Sequence, residues 1–270
     1  ALARLAQSSA PSQRLHMALQ LAFGSFSYHA QGGTSQTIEA FACARRLAEA
    51  DKNLTGQLRA VSGQMAVSLC GGNYREALKQ SLHFDQLGPH AAPLLDLSAQ
   101  RLRVLAQHFA GHQALAQHNA EQVIQRMAQS GHLNRFTHGF GVQYDQSVAS
   151  LTILARILWL RGFPEQAWRT ASQALALALQ INHGTSICYT LALAGVVIAQ
   201  YNGDTVVARD QLDLLLQQAQ KHSVPLFHAW AQCYEGTMQI AEVQGLGLVE
   251  DILVTFNAIA VNDTLFERAR

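Results

Sequence analysis

This sequence carries little charge. Only 14% of its 270 residues are Asp, Glu, Lys or Arg, against roughly 25% in an average soluble protein. The formal net charge is +1, and no run of Lys or Arg stands out. A protein that grips nucleic acid unaided needs a basic face to neutralise phosphates. No direct nucleic-acid contact by this chain is therefore expected. An acidic tail and a basic membrane-binding patch are missing too. Disorder is excluded from the other side. Hydrophobic residues make up 49% of the chain, whereas disorder needs low hydrophobicity and high charge. Gln, Ala, Ser and His supply much of the polarity, which suits helices packed on both sides.

Cysteine is sparse and scattered: Cys43, Cys70, Cys188 and Cys233, with no CxxC pair. At this length and spacing they read as buried, reduced thiols in a cytoplasmic protein, with the sequons at Asn53 and Asn262 as chance matches. The chain begins at Ala1 without Met and shows no signal peptide, so it reads as a fragment of a larger protein. Unbroken hydrophobic runs are also missing. From Thr170 to Gly203 there is no Asp, Glu, Lys or Arg, and a membrane span needs about 20 predominantly apolar residues. Gln180, Asn182, His183, Gly184 and Ser186 interrupt the run. Two buried helices and a turn are expected there, and no membrane span.

The motifs of common catalysts are missing as well. There is no GxxxxGK[ST] phosphate loop, no HExxH and no GxSxG. The segment Gly245 to Glu250 opens like GxGxxG but ends in Glu and follows a helical pattern, so it reads as a turn. His108 and His112 have i, i+4 spacing with His118 nearby, but Gly111 interrupts the helix between them. They read as polar turn residues, and no metal site is expected. Carboxylates are too sparse to mark an acid–base pair. Asp145 is expected to cap a long helix beginning near Gln146. No catalytic residue, metal or cofactor is expected; an all-α enzyme is the least favoured reading.

What the sequence does contain is a repeat. Gly followed by a short mixed stretch and then Ala recurs at Gly72 to Ala77, Gly111 to Ala116, Gly162 to Ala167 and Gly203 to Ala208. Weaker copies begin at Gly33 and Gly245. The spacings are 39 (33 to 72), 39 (72 to 111), 51 (111 to 162), 41 (162 to 203) and 42 (203 to 245). Each interval holds two helices and two turns, which predicts six helix pairs in one all-α repeat domain over 1–270. Gly ends one helix in the left-handed conformation. Pro164 suits the start of the next, and Ala lets two helices approach closely. Apolar residues then recur at helical spacing: Ala171, Ala174, Leu175 and Ala178 after Ala167, and Leu212, Leu215 and Leu216 after Ala208. Ile187 to Ile198 is apolar enough for a strand, but its Ala and Leu content and its length argue helix.

With Pro89 twelve residues after Ala77, the segment from Gly72 resembles a tetratricopeptide repeat, which normally has about 34 residues. A closer resemblance runs from Phe140 to Gly245. It is carried by Leu151 to Ala167 around Trp159, by His183 to Ala192, and by His228 to Gly236 around Trp230. This region is similar to the C-terminal repeats of bacterial predicted-ATPase transcriptional regulators, and related regions occur in some multidomain adenylate cyclases. Such regulators carry a winged-helix DNA-binding domain and a signalling ATPase domain before the repeats. The resemblance implies a right-handed solenoid of tetratricopeptide-like pairs. It also implies a sensor or regulatory arm that binds an effector (a peptide, a protein or a small molecule) and controls the ATPase in the parent. The departure at Gly245, where Glu250 replaces the Ala, implies a degenerate last repeat. A stand-alone adaptor or co-chaperone that binds a peptide is the alternative.

By the same resemblance, the first helix of each pair lines a concave groove. Tyr144, Gln146, Tyr189, His228, Trp230 and Glu235 would then face a ligand or partner, aromatic rings beside polar groups. The 51-residue interval carries about ten extra residues, placed at 129–144, a probable inserted loop with Arg135 and His138 as further candidates.

Overall fold

The computed structural model describes residues 10–87, 93–129 and 144–244. Eleven helices, and no strand, are found among them. They are α1 (Ala10–Gln31), α2 (Ser35–Ala50), α3 (Leu54–Cys70), α4 (Tyr74–Leu87), α5 (Pro93–Phe109), α6 (Gln113–Gln129), α7 (Gln146–Leu160), α8 (Pro164–Gln180), α9 (Gly184–Tyr201), α10 (Thr205–Lys221) and α11 (Pro225–Gln244). The fold is all-α. The helices belong to two compact units, α1 to α5 in the first and α6 to α11 in the second.

The turns explain the repeat. After α7, Gly162 takes φ +85°. Its N–H bonds to the Trp159 carbonyl at 2.9 Å, and the Phe163 N–H reaches back to Leu158 at 3.0 Å. This is the left-handed cap that satisfies the last carbonyls of a helix. Gly72, Gly111 and Gly203 repeat it. At the first copy the left-handed residue is Gly32 (φ +77°), one place before the Gly33 that the spacing selects. The turns that join one pair to the next use the same geometry without glycine: Lys52, Asn182 and Ser223 sit at φ 51°, 50° and 52°. The following residue often starts the next helix as a side-chain cap. Asn53 and Asp204 accept from Gly56 and Val207 N–H respectively; Asp145 caps α7 in the same way through Val148 N–H, and Pro164 occupies the first turn of α8. The alanines at the fixed offset are buried: Ala77, Ala116, Ala167 and Ala208 are all at most 1% exposed.

In the first unit the core is built around Phe41 with Met17, Leu21, Ala44, Ala48 and Ala60. Gly24 and Gly63 supply the room: a Cβ on Gly24 would stand 3.0 Å from the Phe41 ring, and one on Gly63 would overlap it. A second cluster joins Leu58, Val61 and Met65 of α3 to Ala99 and Leu102 of α5.

In the second unit α7 and α9, the first helices of their pairs, are buried far more completely than a surface stripe would allow. Every residue from Val148 to Leu158 and from Ser186 to Gln200 is buried. Gly184–Tyr201 is long and apolar enough to cross a membrane, but 89% of it is covered within the fold, as in the core helix of a packed unit. The sequence reading of this region as two helices and a turn is right in kind, with the turn at 181–183. Inside α9 the segment Leu191–Gly195 widens into a π turn. All four cysteines are free thiols; Cys188 is buried, Cys43 and Cys233 are half-buried, and Cys70, expected to be buried, is exposed.

Candidate functional site

Tyr144 precedes the cap of α7, and its ring centroid lies 4.2 Å from that of Tyr189 on α9, with the planes inclined by 40°. The Gln146 amide donates to the Tyr144 carbonyl at 3.1 Å. The fold thus brings together three of the residues picked out in the sequence. Gln146 and Tyr189, however, are only 7% and 6% exposed. Helix packing encloses α7 and α9, so these two side chains are packing residues with little surface to offer. Tyr144 is half-buried. On α11, His228 is exposed, while Trp230 and Glu235 are half-buried; Trp230 stands edge-on to Phe227 at 6.2 Å. Arg135 and His138, with all of the inserted loop from 130 to 143, lie outside the described residues.

Beside the two tyrosines is a polar cluster that sequence reasoning missed. Ser186 Oγ accepts the Asp145 N–H at 2.9 Å and lies 2.8 Å from His183 Nδ1. The Asp145 carboxylate accepts from Val148 N–H at 3.0 Å. The His222 ring packs against Gly184, where a Cβ would overlap it. Burial lowers the His183 pKa below its usual value; the Asp145 charge opposes that shift and His222 adds to it. The neutral imidazole is favoured as a result.

Ser, His and Asp side by side invite comparison with a nucleophilic triad. Burial decides against it, because Ser186 is 0% exposed and no substrate can reach its hydroxyl. The cluster instead ties the start of α7 to the start of α9. A signal for it was present: Asp145 precedes Gly162 by the same 17 residues (145 to 162) as Ser186 precedes Gly203 (186 to 203). Equivalent positions of neighbouring repeats meet. Among the described residues, no group of three or more His, Cys, Asp or Glu is placed to hold a metal ion.

Further along the same helices the buried polar groups continue. Thr152 and Thr190 hydroxyls lie 3.0 Å apart, Arg156 donates to the Leu193 carbonyl at 3.2 Å, and the Tyr234 hydroxyl donates to the Ala192 carbonyl at 2.7 Å. Burial pushes the Tyr234 phenol well above its ordinary range and raises the Cys188 thiol to about 11, so both stay protonated at neutral pH. The Trp159 ring lies 4.4 Å from that of Tyr201, tilted by 38°, and its indole N–H donates to the Asn202 side chain at 2.8 Å. These groups fix how α7, α9 and α11 register on one another. No protein-family model and no curated protein matches this chain.

Proposed function

We propose that the chain is a non-catalytic recognition scaffold whose helix pairs stack as a right-handed, tetratricopeptide-like solenoid of about six pairs. The observation that carries this reading is the recurrence of one unit: a helix, a left-handed glycine, and a second helix opening on a buried Ala. It is supported at Gly72, Gly111, Gly162 and Gly203. A unit of this kind cannot bury its apolar face alone, and repetition of it yields extended surfaces suited to binding. The burial of Ser186, the protonated state of Cys188 and the packing roles of Arg156 and Tyr234 all favour a scaffold over a catalyst.

The resemblance around Trp159 and Trp230 narrows the proposal. The scaffold is the sensor or regulatory arm of a cytoplasmic bacterial transcriptional regulator, and it acts on a signalling ATPase domain in the same polypeptide. Control of that kind requires an effector that binds the on and off states differently. The test is an in-frame deletion of codons 10–244 in the encoding gene, with transcript levels and the ATP hydrolysis rate of the purified product as readouts. A change in both supports a regulatory arm. Unchanged transcription and hydrolysis would overturn that part and leave a peptide-binding adaptor as the reading.

A further inference from the structure

Arg45 ties three helices of the first unit together. From α2 its Nε–H donates to the Glu49 carboxylate on the same helix at 2.8 Å. It reaches the Gln64 side-chain oxygen on α3 at 3.5 Å and His83 Nε2 on α4 at 3.2 Å. α2 and α4 do not follow one another in the chain. Each packs on α3, and the guanidinium spans from one to the other. Arg45 and His83 are both half-buried.

The bond to His83 has one chemical solution. A guanidinium stays protonated and has no acceptor to offer. Nε2 of His83 must therefore receive the hydrogen bond, which makes the ring a neutral imidazole with its proton on Nδ1. Two other histidines differ. His16 faces the Gln20 amide at 3.1 Å, and His118 faces the Gln122 amide at 3.0 Å. An amide presents an oxygen when it turns over, so those pairs suit either state of the ring. At His83 a proton on Nε2 would set two cations against each other at 3.2 Å. The surrounding charges do not relieve this. On α2, Glu49 is taken by Arg45, and α3 offers only the neutral Gln64 amide. From α5 comes a second cation, Arg103, bonded to the Ser81 carbonyl at 3.3 Å. On α4 itself, Lys79 is paired with Glu76.

We propose that Arg45 and His83 form an acid-released clasp: while His83 is neutral it holds α2 to α4, and uptake of a proton by His83 opens it. Imidazole is the side chain whose charge ordinarily changes between about pH 5 and 8, so modest acidification loosens the seating of these helices on one another. The device acts on the scaffold itself and holds whichever partner the scaffold takes.

The experiment is a double-mutant cycle on the full 270-residue chain with Arg45→Met, His83→Leu and the pair, at about pH 7.5 and about pH 5.5. Hydrogen exchange read by mass spectrometry on peptides of α2 and α4 reports on those helices alone. Variants are compared at one pH, so intrinsic exchange rates and the response of other histidines cancel. At the higher pH the two side chains should be coupled roughly fivefold in protection, the size of one ordinary hydrogen bond. At the lower pH that coupling should vanish or invert. His83→Gln, whose side-chain oxygen accepts from Arg45 at either pH, should keep its coupling to Arg45 at both. Ring nitrogen NMR should show the neutral Nδ1–H tautomer of His83 at the higher pH. No coupling at the higher pH, undiminished coupling at the lower pH, or a proton on Nε2 at the higher pH would each overturn the proposal. So would a coupling in His83→Gln that acidification also abolishes, because the imidazole would then not be the sensor.

Discussion

Arg156 and Tyr234 converge on one widened turn of α9 from the helices on either side of it. The guanidinium takes the Leu193 carbonyl and the phenol takes the carbonyl of its neighbour, Ala192. A π turn departs from the regular i to i−4 ladder, here with the Val196 N–H on the Leu191 carbonyl. Side chains from α7 and α11 thus bond at the place where the helix is irregular, and this fixes the axial position of all three helices.

Removing these bonds should loosen the second unit without abolishing its helices. Tyr234→Phe should cost about 1 kcal/mol, and Arg156→Met, which removes a charged donor, about 2 kcal/mol. The double variant should cost less than the two together, because both act on the same turn. Urea denaturation of the three variants measures this. Strict additivity would show that the two side chains act independently.

The left-handed turns make a prediction with opposite signs at two kinds of site. Gly162→Ala forces a Cβ into φ +85°, although no atom lies within 4 Å of it. The loss is conformational, about 1 kcal/mol. Asn182 and Ser223 already bear a side chain at φ near +50°, so Asn182→Gly or Ser223→Gly should stabilise by about 0.5 to 1 kcal/mol. Thermal melts of the single variants test both signs.

The core of the first unit depends on a ring seated against a missing side chain. Gly63→Ala should destabilise by about 1 to 3 kcal/mol through overpacking against Phe41. Phe41→Leu alone should also destabilise, by opening space. Combined with Gly63→Ala it should recover part of the loss. A double-mutant cycle in urea checks the coupling; a sum of the single effects would mean that the ring can move aside.

How much of this was legible in sequence follows from which features are local. The glycine turns, the Asp145 cap, Pro164 at the start of α8 and the buried alanines are decided within a few residues, and the spacing revealed them. The register between repeats was half-legible. The equal offsets of Asp145 and Ser186 from their glycines were there to be read, but nothing local said that the two would bond. Gln146 and Tyr189 were expected at an accessible surface because the resemblance puts the first helix of each pair along a concave groove. Whether a helix is open on one side depends on every element around it, and α7 and α9 turned out enclosed. The exposed row on α1 was invisible for the same reason: Leu15, Leu19, Phe23 and Phe26 look like an ordinary core stripe until the fold shows that α1 buries Met17, Leu21 and Gly24 instead.

The polar cluster at the start of α7 and α9 should make stability depend on pH in one direction. His183 has a folded-state pKa below its ordinary value, chiefly through burial, with Asp145 opposing the shift and His222 adding to it. The unfolded chain therefore binds a proton more readily than the folded one between that lowered value and about 6.5. Stability is then fully present above about pH 6.5 and falls as the pH drops through the window below it. His183→Gln, which keeps a polar group beside Ser186, should flatten the dependence between about pH 7.5 and 5.5. Ser186→Ala should lower stability at both ends, because it removes the hydroxyl that receives the Asp145 N–H. Urea midpoints at the two pH values distinguish these effects. A wild-type midpoint that rises on acidification, or one that falls equally in His183→Gln, would show that His183 does not govern the response.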